Sequence, residues 1–233
     1  MNLSKTSLTS ILTSSPAHPF IVFFLCAIFC DLNAQENSPP ASIDKSGASP
    51  KIIRISPAST NDWGAGASCH TQWYFPGGSG RSGLFAGQIN TIRRNERSLI
   101  RFDLSSLATR GGGTNWLASA TLAFVPRWFC GPQDSRQIEC SHLKYEPQIL
   151  CGNDLANDEA EIAGVITVLK PAKKADPLKF DVTRWVQSDV WNGFAFSAFR
   201  FRDVHAEEGY GQPAGLSLGH PGESLPFLEI IEK

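Results

Sequence analysis

The feature that most constrains this chain is the run Arg97-Ser98-Leu99-Ile100-Arg101-Phe102-Asp103-Leu104-Ser105-Ser106-Leu107. Across a glycine-rich turn it is followed by Ala118-Ser119-Ala120-Thr121-Leu122-Ala123-Phe124-Val125. A strand sends alternate side chains to opposite faces. Leu99, Arg101 and Asp103 therefore share one face, and Ser98, Ile100 and Phe102 the other. In the second run Ala118, Ala120, Leu122 and Phe124 fall together. The pair reads as two neighbouring strands of a β-sandwich.

The rest of the composition agrees with an all-β class. The chain has 233 residues with 20 Gly, 15 Pro and a single Met, and no long amphipathic helical run. Frequent turn formers between short alternating runs are the signature of a sandwich with many loops. The predicted architecture is a jelly-roll-type antiparallel β-sandwich with one short helical turn.

The N-terminus reads as a targeting segment. Lys5 supplies a positive region, Phe20 to Phe29 is apolar, and Leu32-Asn33-Ala34 offers a small residue before Gln35. An apolar run of about ten residues suits a signal peptide and is short of the roughly 20 needed to span a bilayer. The competing reading, a buried core helix, lacks any amphipathic flank. A lipid anchor at Cys26 or Cys30 would want a small residue where bulky Leu25 and Phe29 stand. Residues 1–34 are thus expected to be a signal peptide and 35–50, polar and carrying three prolines, a flexible linker. Residues 51–233 form the single folded domain, and the protein is expected to be secreted or at the cell surface.

Removing residues 1–34 takes away Lys5 and Asp31, leaving 20 basic and 21 acidic residues and a net charge still of −1. That balance supports neither nucleic acid nor an anionic membrane as partner.

Along the domain, Ile52-Ile53-Arg54-Ile55 gives a first strand and Ser56 to Ala67 a loop. Ser68 to Phe75, Leu84 to Gly87, Ile162 to Leu169, Leu178 to Phe180, Phe194 to Phe199 and Pro226 to Ile231 give further strands. Asp181 is placed to cap one helical turn that carries Val182, Trp185 and Val186 inward. Trp185 and Trp191 are assigned to the core. Arg127 to Gly152 is the least regular part, and it contains three of the four cysteines left after cleavage.

Those four are Cys69, Cys130, Cys140 and Cys151. An even number in an exported chain favours two disulfides, with three connectivities open. The favoured arrangement closes a local loop with Cys130–Cys140 and leaves Cys69 with Cys151. A zinc site from Cys130, Cys140, His142 and Cys151 lacks the close Cys-x2-Cys spacing of structural zinc sites.

Several patterns could carry chemistry. Gly215-Leu216-Ser217-Leu218-Gly219 matches a nucleophile elbow, with His220 beside it. An elbow needs a strand–turn–helix and an acid and histidine later in the chain. Pro221-Gly222 blocks such a helix, and no Asp follows, so a small-residue strand or loop accounts better for the motif. Asp154, Asp158, Glu159 and Glu161 cluster, as do Glu207 and Glu208, but a hydrolase needs two carboxylates set across a cleft. A solvated acidic loop is the plainer account. Calcium binding by Asn153, Asp154, Asn157 and Asp158 lacks the spacing of a calcium loop. No cofactor is therefore expected.

With these residues located, the chain resembles the DNRLRE-domain family, which overlaps carbohydrate-binding module family 96. The resemblance rests on Gly83-Leu84-Phe85-Ala86-Gly87, on Arg97 to Leu107, on Ala118 to Leu122, and on Phe180 to Val186 with Trp191-Asn192-Gly193-Phe194. It spans about residues 51–231. The chain departs from the family where Leu107-Ala108-Thr109-Arg110-Gly111-Gly112-Gly113 replaces a Leu-Pro-x-Gly, and in the cysteine-bearing region 130–151. The resemblance implies an extracellular β-sandwich, commonly an accessory or surface module, some of whose relatives bind an acidic polysaccharide such as alginate.

A polysaccharide ligand wants aromatic faces for sugar rings and Arg or Lys for sugar carboxylates. Trp63, Trp73, Tyr74, Trp128 and Phe129 lie in or beside expected loops, with Arg81, Arg93, Arg94 and Arg127 in similar places. Core burial of each aromatic is the competing account; for the arginines it is a solvated surface. Arg101 and Asp103 are expected to pair structurally. The function implied is a non-catalytic, exported carbohydrate-binding module. The alternatives are a structural surface or matrix protein without a glycan ligand, and a polysaccharide lyase or hydrolase.

Overall fold

The Arg97–Leu107 alternation becomes strand β5 (Asn95–Asp103), and the second run becomes β6 (Leu117–Phe124). The two are not neighbours: they lie in opposite sheets. These strands belong to a computed structural model that describes residues 49–67, 74–76, 84–88, 95–108, 110, 113–126, 129–156, 159–170, 177–208, 214–219 and 225–233. The expected signal segment and nearly all of the expected linker lie outside the described residues, as does Cys69.

The first sheet has four strands in the order β1 (Ile52–Ile55), β13 (Phe227–Glu232), β6, β10 (Leu178–Asp181). The second has nine. Its main path is β7 (Phe129–Cys130), β12 (Ala214–Gly219), β4 (Leu84–Gln88), β5, β11 (Phe196–Asp203), β8 (Ser135–His142), β9 (Glu161–Leu169). The remaining two, β2 (Trp63–Ala67) and β3 (Tyr74–Pro76), join through a β2–β5 pairing. Every pairing is antiparallel, so the fold is an all-β antiparallel sandwich.

The core forms where the two inner faces meet. Ile100 and Phe102 of β5, Phe199 and Phe201 of β11, Ile138 and Cys140 of β8 face Leu122 and Phe124 of β6, Phe180 of β10, and Leu228 and Ile230 of β13. Phe124 spans the layers, its ring centroid 5.8 Å from that of Phe201 and 6.1 Å from that of Phe180. Burial of each such phenylalanine stabilises the fold by about 1.5–3 kcal/mol, so this aromatic seam is what joins the sheets.

Helical structure exceeds the single turn expected. Among the described residues, besides two 3-10 segments there are α1 (Ser105–Ala108), α2 (Gly152–Ala156) and α3 (Thr183–Trp191). Helix α3 does carry Val182, Trp185 and Val186 inward. Its start is stitched to β6: the Val182 N–H donates to the Ala120 carbonyl at 2.9 Å, and the Ala120 N–H donates to Thr183 Oγ1 at 3.0 Å. Asp181 accepts the Thr183 N–H at 3.0 Å from one position before the N-cap residue Val182. The helix ends in a Schellman arrangement, Gly193 N–H to Val190 O at 3.1 Å and Phe194 N–H to Asp189 O at 2.9 Å, with Gly193 at φ +73°.

Two expected features are replaced. Cys130, Cys140 and Cys151 are free thiols, so the Cys130–Cys140 bond is not formed. The reason is placement: Cys140 sits inside β8 opposite Phe201, wholly buried, while Cys130 sits on β7 opposite Gly215. Arginines order the irregular segment instead. Arg136 donates to the Cys130 carbonyl at 2.7 Å and to Gln133 Oε1 at 2.9 Å. Arg101 donates to the carbonyls of Pro147 and Gln148, and Arg97 and Arg200 both reach that of Leu155. These bonds clamp residues 143–156 over a second small core of Leu99, Ala198, Leu143, Leu150 and Leu155 on the outer face of β5 and β11.

Nor does Arg101 pair with Asp103. Its Nε meets Asp62 Oδ1 at 2.8 Å, whereas Asp103 accepts the Ser105 N–H at the start of α1. Burial alone would raise the pKa of Asp62; hydrogen bonds from Arg101 and Ser59 outweigh it and hold the carboxyl below its usual value.

Candidate functional site

Helix α3 and the first residues of β9 face one another across a groove. Spacing on a helix fixes which α3 residues share a side, since positions three, four and seven apart stack on one face. Arg184, Ser188 and Trp191 form such a stripe, flanked by Asn192 after the helix. The opposite, inward stripe holds Trp185, Val186 and Asp189.

Two adjoining hollows make up the groove. One, of about 440 Å³, is bordered by Lys144, Glu161, Ser188, Asn192 and Phe194; the other, about 540 Å³, by Ile162, Asp181, Thr183 and Gln187. Arg184 and Trp185 line both. Between them Arg184 reaches across to Glu161 at 2.6 Å, and Lys144 approaches the same carboxylate at 3.8 Å. Arg184 and Lys144 are exposed and Glu161 is half-buried, and ion pairs open to solvent are worth about 0–1 kcal/mol. An incoming anion can therefore open the bridge at little cost.

Aromatic surface lies alongside this charge. Trp185 is nearly buried, with the Arg184 guanidinium 4.0 Å above its ring centroid, and its buried Nε1–H meets no acceptor among the described residues. Trp191 is 73% exposed. The core assignment thus holds for Trp185 and fails for Trp191: counted from Trp185, position 191 lies about 120° round the helix, away from the buried stripe.

His142 and Asp189 also border the groove. His142 Nε2 and Asp189 Oδ2 are 2.9 Å apart, the side chains are 5% and 2% exposed, and the His142 ring packs 5.5 Å from that of Phe199. The pair is built into the wall, where it holds the end of β8 against α3.

Of the residues expected to bind, Trp63, Tyr74 and Phe129 lie among the described residues, and none of the three lines either hollow. Trp63 opens β2 opposite Ile100 and is 2% exposed, a core residue. Tyr74 opens β3 opposite Gly66. Trp73, Arg81, Arg93, Arg94, Arg127 and Trp128 lie outside the described residues. Phe129 packs partly against the core beneath Arg136. Ser217 of the elbow-like motif lies within β12, opposite Phe85, and not at a strand-to-helix turn. Asp154, far from being solvated, is buried and accepts from the Tyr145 hydroxyl and the Cys151 N–H.

Neither the models of known protein families nor the curated proteins include a match to this chain.

Proposed function

We propose that this chain is a non-catalytic carbohydrate-binding module that seats a glycan along the α3–β9 groove. Trp191 carries the reading: a large aromatic face, 73% exposed, on the same helix stripe as the cationic Arg184. Such a face stacks on a sugar ring, while Arg184 and Lys144 supply the charge that favours an acidic polysaccharide such as alginate. An exported location and kinship with the DNRLRE-domain and carbohydrate-binding module 96 proteins belong to the same proposal; they rest on the motifs of the sequence.

Affinity electrophoresis through gels containing alginate, pectate or a neutral glucan tests it. Retardation by a uronate gel, lost on Trp191→Ala, is the expected result. Unchanged mobility in every gel would favour the structural surface-protein alternative, and release of shortened products from alginate or pectate would favour a lyase or hydrolase.

A further inference from the structure

Five strand edges are present among the described residues, and four are protected. Strand β7 has two residues, β3 has three and ends in Pro76, β1 carries Arg54, and β10 carries Lys179 and Asp181. Shortness, proline and charge are the usual defences of an edge against pairing with another chain. Strand β9 has none of them along most of its length. It runs nine residues, pairs only with β8, and has neither charge nor proline between Glu161 and Lys170. Its one irregularity is the extra residue Ala163, where the β8 register shifts, so the strand from Gly164 onward is regular.

The two faces of β9 differ. Gly164 lies under the Phe180 ring and Val168 is 3% exposed, which fixes that parity as inward. Outward stand Val165, Thr167 and Leu169, with Val165 at 49% and Leu169 at 71% exposure. This is a run of high β-propensity whose apolar outer face nothing in the described chain covers.

We propose that two copies of this chain pair antiparallel along β9, about a two-fold axis through Thr167. The ends of the strand select a second copy as occupant. Glu159 and Glu161 precede the apolar run and Lys170 follows it. Antiparallel self-pairing turns Lys170 of each strand toward the acidic end of the other, where Glu161 already meets Arg184 and Lys144, whereas parallel pairing in register would set Lys170 beside Lys170. A net charge of −1 offers no general repulsion between copies. Parity and length together set the register. Residues directly opposite in an antiparallel pair project to the same side, so a continuous sheet with both cores on one side needs a residue opposite its own copy, and Thr167 is the midpoint that pairs the regular stretch Gly164 to Lys170 over its whole length. Val165 of each copy then faces Leu169 of the other. The paired stretch, Gly164 to Lys170, stops short of Glu161. Both grooves stay open, their Glu161 residues about 40 Å apart at ~3.3 Å per residue. The proposal does not depend on the glycan reading.

Sedimentation velocity over a wide concentration range tests it, with circular dichroism confirming the fold of each variant. The wild-type protein is expected to show a reversible monomer–dimer equilibrium. Val165→Lys with Leu169→Lys, both at exposed positions, should weaken it about tenfold or more. As a register test, Thr167→Cys in a Cys151→Ser background should form a disulfide-linked dimer under mild oxidation. A wild-type protein that stays monomeric to its solubility limit would overturn the proposal, as would a double-lysine variant that dimerises like wild type.

Discussion

Arg136 and Asp203, 67 residues apart in the chain, form an ion pair of 2.8 Å from which water is wholly excluded. The pair joins β8 to the end of β11, and Nη2 of the same guanidinium donates to the Cys130 carbonyl and to Gln133 Oε1. Breaking a buried pair by removing one partner strands the other charge and typically costs 3–5 kcal/mol. Asp203→Ala should therefore lower stability by about that amount, read from the denaturant midpoint at constant m-value. A change below about 1 kcal/mol would show that Arg136 finds another counter-charge.

The thiols give a second prediction. Burial pushes the Cys140 thiol well above its usual pKa, assisted by the nearby Glu139 charge, and burial raises Cys130 despite the opposing charge of Arg136. Cys151 is exposed. Iodoacetamide should label Cys151 in the native protein, Cys130 slowly, and Cys140 only after unfolding. A blocked Cys130 and Cys140 that react only after reduction would restore the disulfide.

Acid should destabilise the fold through three carboxylates. Asp62 is held low against the effect of burial by Arg101 and Ser59. Glu139 is held low in the same way by Arg202 and Ser141, with the charges of Arg202 and Arg200 assisting. Asp181 is lowered by the Thr183 hydroxyl and then its N–H. In each case the folded pKa lies below the unfolded one. The stability they contribute is therefore complete above about pH 4.5 and is lost as pH falls through the folded values. Thermal melts between about pH 6 and pH 2 should show a falling Tm that flattens in Glu139→Gln. Identical slopes for the two proteins would contradict the assignment.

Gly215 lies against the tip of the Phe85 ring, and a Cβ there would collide with it and with the Ala86 carbonyl. Gly215→Ala should cost about 1–3 kcal/mol by overpacking, and pairing it with Phe85→Leu should recover part of the loss. Chemical denaturation of the single and double variants checks this. The glycine that gives Gly215–Gly219 its catalytic look is thus a packing residue.

The parts of the fold legible in the sequence were those whose alternation is purely apolar. Ile100 and Phe102, or Val182, Trp185 and Val186, point where their periodicity says. Strand β8 was hidden because its inward positions include Arg136 and His142, each satisfied by a polar partner distant in sequence, Asp203 and Asp189. Strand β2 was hidden because Trp63-Gly-Ala-Gly-Ala reads as a loop until β5 covers it. The same limit concealed the opposite-sheet placement of β5 and β6, since alternation fixes a face and not a neighbour. On α3 the sequence did hold a signal: Arg184 and Ser188, which line the groove, share a helical stripe with the exposed Trp191, away from Trp185. Extending α3 from one turn to nine residues would have put Trp191 outside.

The two tryptophans of α3 should separate stability from binding. Trp185→Ala empties core volume and should cost about 3–5 kcal/mol. Trp191→Ala, at an exposed position, should change stability by less than about 0.5 kcal/mol.

Calorimetric titration of an alginate oligosaccharide into the wild-type protein and into Trp191→Ala tests the central claim most directly. The groove account predicts saturable binding to wild type, weakened about tenfold by the substitution, consistent with loss of roughly 1.4 kcal/mol of stacking, with Tm unchanged. Equal affinity of the two proteins, or no heat from either, would contradict it.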